Sequence, residues 1–301
     1  MRLMPKIGLN RRSCAPLINA TVKAPSSKEI PGNASPSKMR VLLRLEPLDE
    51  YLYDNDYHYH LQAFVYSMIR EAGYGSLHNA SGYKYFCFSN LFPYQRSFMK
   101  GSEVDLVLSS PDAELVSKLA QVLNRAEIKQ EVKIGKMKFK ISSLSGPFHI
   151  GVKNEPIKLR SATPIIIRIP SSRYAEYGIP SERPYLFWRE TIPLEAFVKQ
   201  LRDNMEKKIT QYRSQERALD YASKDGGEGR EVPLPEVLSY RFVKTVSKPI
   251  TVKGERQQVI GSIWELEFAP QSALEASNLE FAVDSGFGER NSLGFGFMNP
   301  V

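Results

Sequence analysis

The order of predicted strands and helices constrains the fold of this chain more than any other feature of its sequence. Between residues 40 and 142 the pattern runs through a strand, a helix, two strands, a second helix and one or two further strands. In the helices, apolar side chains recur at the spacing of one buried face. The strands are predicted at 40–45, 83–91, 103–109 and 128–142, and the helices at 58–72 and from Pro111-Asp112 onward. This order is that of a ferredoxin-like domain.

A looser repeat of the same order follows Gly146-Pro147. Its strands are predicted at 165–169, 238–246, 262–268 and 295–298, and its helices at 193–222 and 271–283, with a turn near Lys253-Gly254. We therefore predict an α+β protein of two tandem ferredoxin-like domains. The predicted boundaries are 39–145 for the first domain and 146–301 for the second, which contains a glycine-rich loop at 284–297.

Residues 1–38 have no sustained periodicity and are rich in Pro, Ser, Ala and Asn, so they are predicted to form a disordered extension. They hold seven of the 41 Lys and Arg residues and one of the 33 Asp and Glu residues. The other 263 residues therefore carry a net charge of only +2, although the whole chain carries +8. Local patches, and not bulk charge, must support any nucleic-acid role.

Composition excludes several classes of protein. Hydrophobic and charged contents of 42% and 25% are those of a soluble globular chain. No apolar run is long enough to span a bilayer, so no membrane partner is expected. Cys14 and Cys87 are the only cysteines, too few for a disulfide framework or a cysteine-rich zinc site, which fits a reducing cytoplasm.

The loop at 284–297 contains two Gly-Phe-Gly sequences. Glycine permits positive φ and close approach of backbone N–H groups to an anion, so the loop is a candidate phosphate cradle. A helix C-cap followed by a tight turn is the alternative. Dinucleotide and P-loop motifs do not fit, because Asn291 takes the place of the third glycine and no Gly-Lys-Ser/Thr follows.

Tyr66, His78 and Lys84 are candidates for metal-free ribonuclease chemistry. His78 lies in a polar loop between helix and strand, Lys84 precedes the strand, and Tyr66 falls outside the apolar stripe of its helix. His and Tyr suit proton transfer to and from RNA oxygens, and Lys can neutralise a phosphorane. A surface loop that happens to hold His and Lys is the alternative. No His, Asp or Glu spacing resembles a metal site, and no cofactor is expected.

A second candidate surface comprises Lys136, Lys138 and Lys140, which alternate with apolar residues and are predicted to share one face of a strand. Such a face suits an RNA backbone, and it equally suits a solvated edge strand that its lysines protect from aggregation. The lysines and arginines of the helix at 193–222 are interspersed with acidic residues, which indicates a solvated face.

Four stretches of the chain resemble one known family. Gly286-Phe-Gly-Glu-Arg-Asn-Ser-Leu-Gly-Phe-Gly296 is similar to the C-terminal glycine-rich signature of the CRISPR-associated protein six family, repeat-processing endoribonucleases of the RAMP superfamily. Its N-terminal region is resembled by Met39-Arg-Val-Leu-Leu-Arg-Leu45, by the helix segment ending in Gln-Ala-Phe-Val-Tyr66 and by the segment from Leu77 to Ser89. The resemblance covers about residues 39–300, and the 38-residue extension has no counterpart in it.

The resemblance implies metal-independent cleavage within CRISPR repeat RNA. The 2′-hydroxyl would attack, leaving a 2′,3′-cyclic phosphate and a 5′-hydroxyl. Tyr66, His78 and Lys84 match the positions of a Tyr-His-Lys triad that some members of the family use. The resemblance implies that His78 would act as general acid or base, that Tyr66 would be its counterpart, and that Lys84 would stabilise the phosphorane.

The partner implied is the precursor transcript of CRISPR repeats, while a homodimer and a CRISPR effector complex are further partners that the sequence leaves open. The residues expected to bind RNA are Gly286, Gly288, Arg290, Asn291, Ser292, Gly294 and Gly296 together with the three lysines. Gly288→Val is accordingly expected to weaken RNA binding more than folding.

Two non-catalytic functions compete with this interpretation. Gly294-Phe-Gly-Phe-Met298 echoes part of an RNA-recognition motif, which favours an RNA-binding module. A structural subunit of an RNA-guided effector complex would share the fold and the loop but would not need His78.

Overall fold

A computed structural model describes residues 39–52, 57–124, 131–219, 232–252 and 255–301. The predicted disorder of 1–38 and the predicted turn at Lys253-Gly254 lie outside these ranges. The main helices are α1 (Tyr57–Ile69), α2 (Ala113–Asn124), α3 (Leu194–Leu219) and α4 (Ala273–Ser285). The strands are β1 (Arg40–Pro47), β2 (Tyr51–Leu52), β3 (Cys87–Phe88), β4 (Ser97–Phe98), β5 (Val104–Ser109), β6 (Glu131–Ile134), β7 (Met137–Phe148), β8 (Ile157–Ser161), β9 (Arg168–Pro170), β10 (Tyr185–Phe187), β11 (Glu236–Val252), β12 (Glu255–Ala269) and β13 (Met298–Pro300).

The first sheet has the strand order β3-β5-β1-β7-β6, and its pairs are antiparallel. This is the ferredoxin-like order with β6 added at one edge by a hairpin. Leu43 of β1 lies in one core with the apolar faces of α1 and α2. Leu42, on the opposite face, packs against Phe297 from the far end of the chain. Since β1 is buried on both faces, its sequence is a nearly continuous apolar run.

The second sheet has the order β11-β12-β8-β13 and is also antiparallel. With α3 and α4 it completes the second ferredoxin-like unit. Its core is separate from the first and includes Trp264, whose ring stacks on Phe197 of α3 with centroids 4.4 Å apart.

The first strand of this unit is β8, which corrects the predicted strand at 165–169. Alternating exposure along Ile157–Ser161 is that of a half-buried strand. The 165–169 segment is apolar for another reason. Ile165 bridges Ser262 of β12 and Ile166 bridges Glu289 of the glycine-rich loop, so the segment is covered from both sides.

Several other bounds differ from the predictions. The predicted strand at 83–91 is reduced to β3, and the helix predicted to reach 72 is regular only to Ile69, before Gly73 adopts a φ of +91°. The last strand begins at Met298, not at 295. The predicted domain boundary after residue 145 falls inside β7, and the division at that point stays a prediction. Among the described residues, no helix is both long and apolar enough to cross a membrane.

A buried ion pair joins the two units. Arg40 of β1, whose side chain is 1% exposed, donates from Nε to Asp284 Oδ1 of α4 at 3.0 Å. Its other guanidinium nitrogens donate to the backbone oxygens of Met298 and Val283 at 3.1 and 3.2 Å. Ser109 Oγ lies 3.0 Å from the Asp284 carboxylate. The pair is therefore surrounded by hydrogen bonds that a buried charge requires.

Removing one partner of this pair is expected to destabilise the protein strongly. Arg40→Met leaves Asp284 buried without its counter-charge, so the free energy of unfolding should fall by about 3–5 kcal/mol in urea at pH 7. The double variant Arg40→Met/Asp284→Leu should lose less than the sum of the two single variants. Glu114→Gln, which breaks the exposed pair with Lys118, is the control and should leave the midpoint unchanged. Equal losses in Arg40→Met and the control would contradict the role of the pair.

Candidate functional site

Tyr66, His78 and Lys84 meet at the C-terminal end of α1. Lys84 Nζ donates to the Tyr66 hydroxyl at 3.1 Å and to the backbone oxygen of His78 at 2.7 Å. The rings of Tyr66 and His78 are 5.0 Å apart and nearly perpendicular. The structure therefore brings together the three residues predicted to be catalytic.

Tyr66 is buried, which corrects the expectation that it lies off the core. Its side chain is only 8% exposed, and its ring packs at 5.5 Å from that of Phe86. The chain after α1 folds back over this face of the helix, so the apolar stripe of α1 alone could not reveal the burial. The consequence is a hydroxyl held at a fixed position beside an ammonium group.

His78 is exposed at the end of a short helical turn, Gly75–His78. Its Nδ1 lies 3.0 Å from the Asn79 side-chain oxygen. With the Asn79 amide oxygen towards the ring, the contact suits a neutral imidazole whose proton is on Nδ1, and the Nε2 lone pair then faces no described hydrogen-bond partner.

The second domain supports the loop that carries Lys84. Tyr85 has a φ of +47°, which is rare for a bulky residue. Its ring packs edge-on against Tyr212 of α3 and Phe281 of α4, at 4.9 and 6.0 Å. Burial raises the pKa of its hydroxyl to about 12. Sequence reasoning missed Tyr85, because its contacts come from the other half of the chain.

The glycine-rich loop is folded around a buried lysine of α3. Lys208, 2% exposed, donates from Nζ to the backbone oxygens of Gly286 and Gly288, both at 2.7 Å, and to Asn291 Oδ1 at 2.6 Å. Asn291 Nδ2 in turn donates to the Phe287 and Phe295 backbone oxygens at 3.0 Å. Burial lowers the pKa of Lys208 to about 7.

Lys208 corrects the prediction of a wholly solvated charged face on this helix. A signal was present in the sequence, because Lys208 continues a helical stripe formed by Phe197, Leu201, Met205 and Ile209. A lysine on the apolar stripe of a helix indicates that its ammonium group is buried among hydrogen-bond acceptors.

The loop glycines contact protein closely. A Cβ on Gly288 would lie 2.5 Å from the Ile166 oxygen, and one on Gly294 would lie 2.6 Å from the Phe88 ring. Both have positive φ, as do Gly286 and Gly296. Next to these glycines, Phe297 packs against apolar residues of the first domain and Phe295 against those of the second. The glycines are therefore required where the two domains interlock.

The phosphate cradle stays a prediction, and the folded loop shows which of its residues are accessible. Of the loop residues predicted to bind RNA, the buried ones are Gly286, Gly288, Asn291, Gly294 and Gly296. The Gly286 and Gly288 oxygens accept from Lys208, and the Gly296 N–H donates to the Pro164 oxygen at 2.9 Å. Contact of these loop residues with RNA stays a prediction. Arg290 and Ser292 are the two predicted loop residues that remain partly exposed.

The three predicted RNA-binding lysines occupy the β6–β7 hairpin. Lys138 and Lys140 alternate with buried neighbours on β7, as predicted, but Lys136 lies in the turn before the strand. Lys138 pairs with Glu131 at 3.2 Å, which reduces the charge it offers to a ligand. Their RNA-binding role stays a prediction.

Two other histidines have structural partners. His58 is 6% exposed, donates from Nε2 to the Leu293 oxygen and packs 5.0 Å from the Phe295 ring. Burial lowers its pKa to about 4. His149 lies 3.2 Å from Glu280, and its hydrogen bond to that carboxylate raises its pKa. Within the described ranges, no group of three His, Cys, Asp or Glu side chains is placed to hold a metal ion.

Substituting Gly288 is expected to damage folding first, which reverses the expectation from the sequence. Gly288→Ala should lower the free energy of unfolding by about 3 kcal/mol or more, because a left-handed φ and a backbone clash act together. Gly178 is the matched control, since its φ is also positive, at +60°, and nothing lies within 4 Å of a Cβ there. Gly178→Ala should cost about 1 kcal/mol in the same thermal and urea unfolding. Equal costs at the two positions would show that the loop is not tightly packed.

His58 is expected to make stability depend on pH. Its pKa is about 4 in the folded protein and near 6.5 when unfolded, so the unfolded state binds the proton first as pH falls. The free energy of unfolding should therefore decrease by roughly 2 kcal/mol between pH 7.5 and pH 5 through this residue. His58→Gln keeps an N–H donor but cannot titrate, and urea unfolding at both pH values should show a smaller decrease. An unchanged pH dependence would refute the burial of a neutral imidazole.

Comparison with known proteins agrees with this architecture. Residues 53–145 match the family model described as CRISPR-associated protein Cas6, N-terminal, and residues 151–300 match that of CRISPR associated protein Cas6, C-terminal. The chain is 32% identical over 264 residues to CRISPR-associated endoribonuclease Cas6 2 of Methanocaldococcus jannaschii, covering 87% of this chain and 100% of the relative. It is 27% identical over 266 residues to CRISPR-associated endoribonuclease Cas6 of Haloferax mediterranei, covering 87% and 94%.

Solved structures share the fold at low identity. A CRISPR associated protein Cas6 has a TM-score of 0.57 at 20% identity, and an RAMP protein binding different RNA substrates has 0.58 at 18%. Each alignment covers 87% of this chain and 99% of the other. The tandem ferredoxin-like prediction is confirmed. With both halves matched by family models and a relative aligned over its full length, the chain belongs to the Cas6 family of CRISPR-associated proteins.

Proposed function

We propose that this protein is a metal-independent endoribonuclease that cuts within CRISPR repeat RNA to release guide RNAs. The observation that carries the proposal is the meeting of Tyr66, His78 and Lys84, with Lys84 Nζ 3.1 Å from the Tyr66 hydroxyl. The names of the two relatives, both endoribonucleases, support the reaction class. The precursor repeat transcript is the proposed substrate, and the cytoplasm is the proposed location.

The proposed reaction is an internal transfer at one phosphodiester. His78 Nε2 takes the proton of the 2′-hydroxyl, the 2′-oxygen bonds to phosphorus, and the bond from phosphorus to the 5′-oxygen breaks. Tyr66 gives its proton to the departing 5′-oxygen, and the nearby Lys84 ammonium favours that transfer and the phosphorane charge. The products are a 2′,3′-cyclic phosphate and a 5′-hydroxyl. The Nδ1 contact of His78 favours this assignment over the reverse one, in which Tyr66 is the base.

The test is cleavage of labelled repeat RNA by the full chain in EDTA. His78→Ala is expected to slow cleavage by about 10²–10⁴-fold, since it removes a proton-transfer group, while RNA binding is retained. Lys84→Ala and Tyr66→Phe should also slow it. His60→Ala is the matched control, because it removes a partly exposed imidazole from the same helix as Tyr66 and should cut at the wild-type rate.

Two further readouts separate the alternatives. A single 2′-deoxy nucleotide at the cut site should block the reaction, and the 5′ product should carry a cyclic phosphate. RNA that binds but stays intact with the wild-type protein would instead support a non-catalytic RNA-binding subunit of an effector complex. Full activity of His78→Ala, or activity that requires an added divalent metal, would overturn the proposed mechanism.

A further inference from the structure

Arg290, at the centre of the glycine-rich loop, is a cation in a strained backbone conformation. Its φ is +60°, a left-handed conformation that costs free energy in a residue with a Cβ. Its Nε is buried and has no hydrogen-bond partner among the described residues. Burial, followed by the nearby Arg168 charge, lowers its pKa. Strain and an unsatisfied buried donor at one residue indicate a ligand that the fold itself does not supply.

The charges around Arg290 do not balance. Glu289 is already engaged by Arg168, which contacts its carboxylate from Nε and from the backbone nitrogen at 3.1 Å. Glu289 is therefore already paired, and the Arg290 guanidinium adds a second positive charge beside that pair. Each phosphodiester of an RNA backbone carries one negative charge. Guanidinium nitrogens bind such a group in a favourable bidentate geometry.

An aromatic side chain adjoins the same cations. The Arg168 guanidinium lies 5.0 Å from the Tyr185 ring centroid, and Tyr185 is 37% exposed. The antiparallel pairing of β9 and β10 holds it in place, with Phe187 opposite Arg168 and packed edge-on against Tyr185 at 5.5 Å. A fixed, partly exposed ring beside arginine is a platform on which an unpaired base can stack.

This cluster is close to the loop of the candidate cleavage site. Glu289 is near enough to Tyr83 for its charge, after burial, to raise the pKa of the Tyr83 hydroxyl. Tyr83 directly precedes Lys84 in the chain, and Lys208 Nζ lies 5.8 Å from its ring. The cluster and the loop that carries Lys84 are therefore neighbours at the Tyr83 side chain.

We propose that Arg290, Arg168 and Tyr185 form a binding site for one nucleotide of single-stranded RNA, separate from the scissile phosphate. Arg290 and Arg168 bind the phosphate, and the base stacks on Tyr185. The inference rests on RNA being the substrate of the proposed function, but it does not depend on cleavage.

Equilibrium binding of fluorescent repeat RNA to the full chain tests the site. The variants are Arg290→Gln, Tyr185→Ala and Tyr185→Phe, made in a His78→Ala background with RNA integrity checked on gels. Arg189→Gln is the matched control, because it removes an exposed arginine from the same segment as Tyr185. Thermal unfolding of each variant identifies any loss that comes from misfolding.

Arg290→Gln should raise Kd about tenfold and reduce the slope of log K against log salt by about 0.7, the value for one phosphate contact in a single strand. Tyr185→Ala should raise Kd about 5- to 100-fold, while Tyr185→Phe binds as the parent does. Removing bases from the RNA one at a time should reveal a position where the parent loses affinity and Tyr185→Ala does not.

The proposed site would be refuted if the folded variants bound RNA as tightly as Arg189→Gln does. It would also be refuted if Arg290→Gln left the slope of log K against log salt unchanged. That result would leave RNA cutting by the wild-type protein unaffected. Conversely, loss of affinity in these variants together with uncut RNA would support the site and refute the cleavage mechanism.

Discussion

The ammonium group of Lys208 organises the part of the molecule where the two domains meet. Removing this charge from water is costly, and three oxygen acceptors at 2.6–2.7 Å offset the cost. Two of the acceptors are carbonyl oxygens of the glycine-rich loop, so the lysine fixes how that loop turns. The turn directs Phe295 and Phe297 into the interface. A single side chain of α3 thus determines the shape of a loop almost eighty residues later in the chain.

The candidate cleavage residues belong to the first domain, but their placement depends on both. Tyr66 is on α1, and the segment carrying His78 and Lys84 is pressed against it from outside. Tyr85, directly after Lys84, rests on α3 and α4 of the second domain. The site is therefore a property of the assembled pair of domains, because neither domain alone encloses this segment.

The fold could be predicted from the sequence because its evidence is local. Strand alternation and helical stripes occur within short windows, and both halves repeat the same order. The errors have a physical cause in long-range contacts. The 165–169 segment is apolar because the loop and β12 cover it, and Tyr66 is buried by residues that follow its helix. The periodicity of a single helix or strand cannot reveal either of these contacts. Lys208 was visible on an apolar stripe, yet its acceptors could be known only from the folded chain.

The interlock at the interface limits how proteins of this architecture can diversify. Arg40 opens the first strand of one domain and binds groups near the end of the other, while Phe297 fills a space between Leu42 and Val107. Each half therefore carries surface that is complementary to its own partner alone. A chimera that takes one half from a distant relative would have to carry β1 and the terminal loop together to keep these contacts.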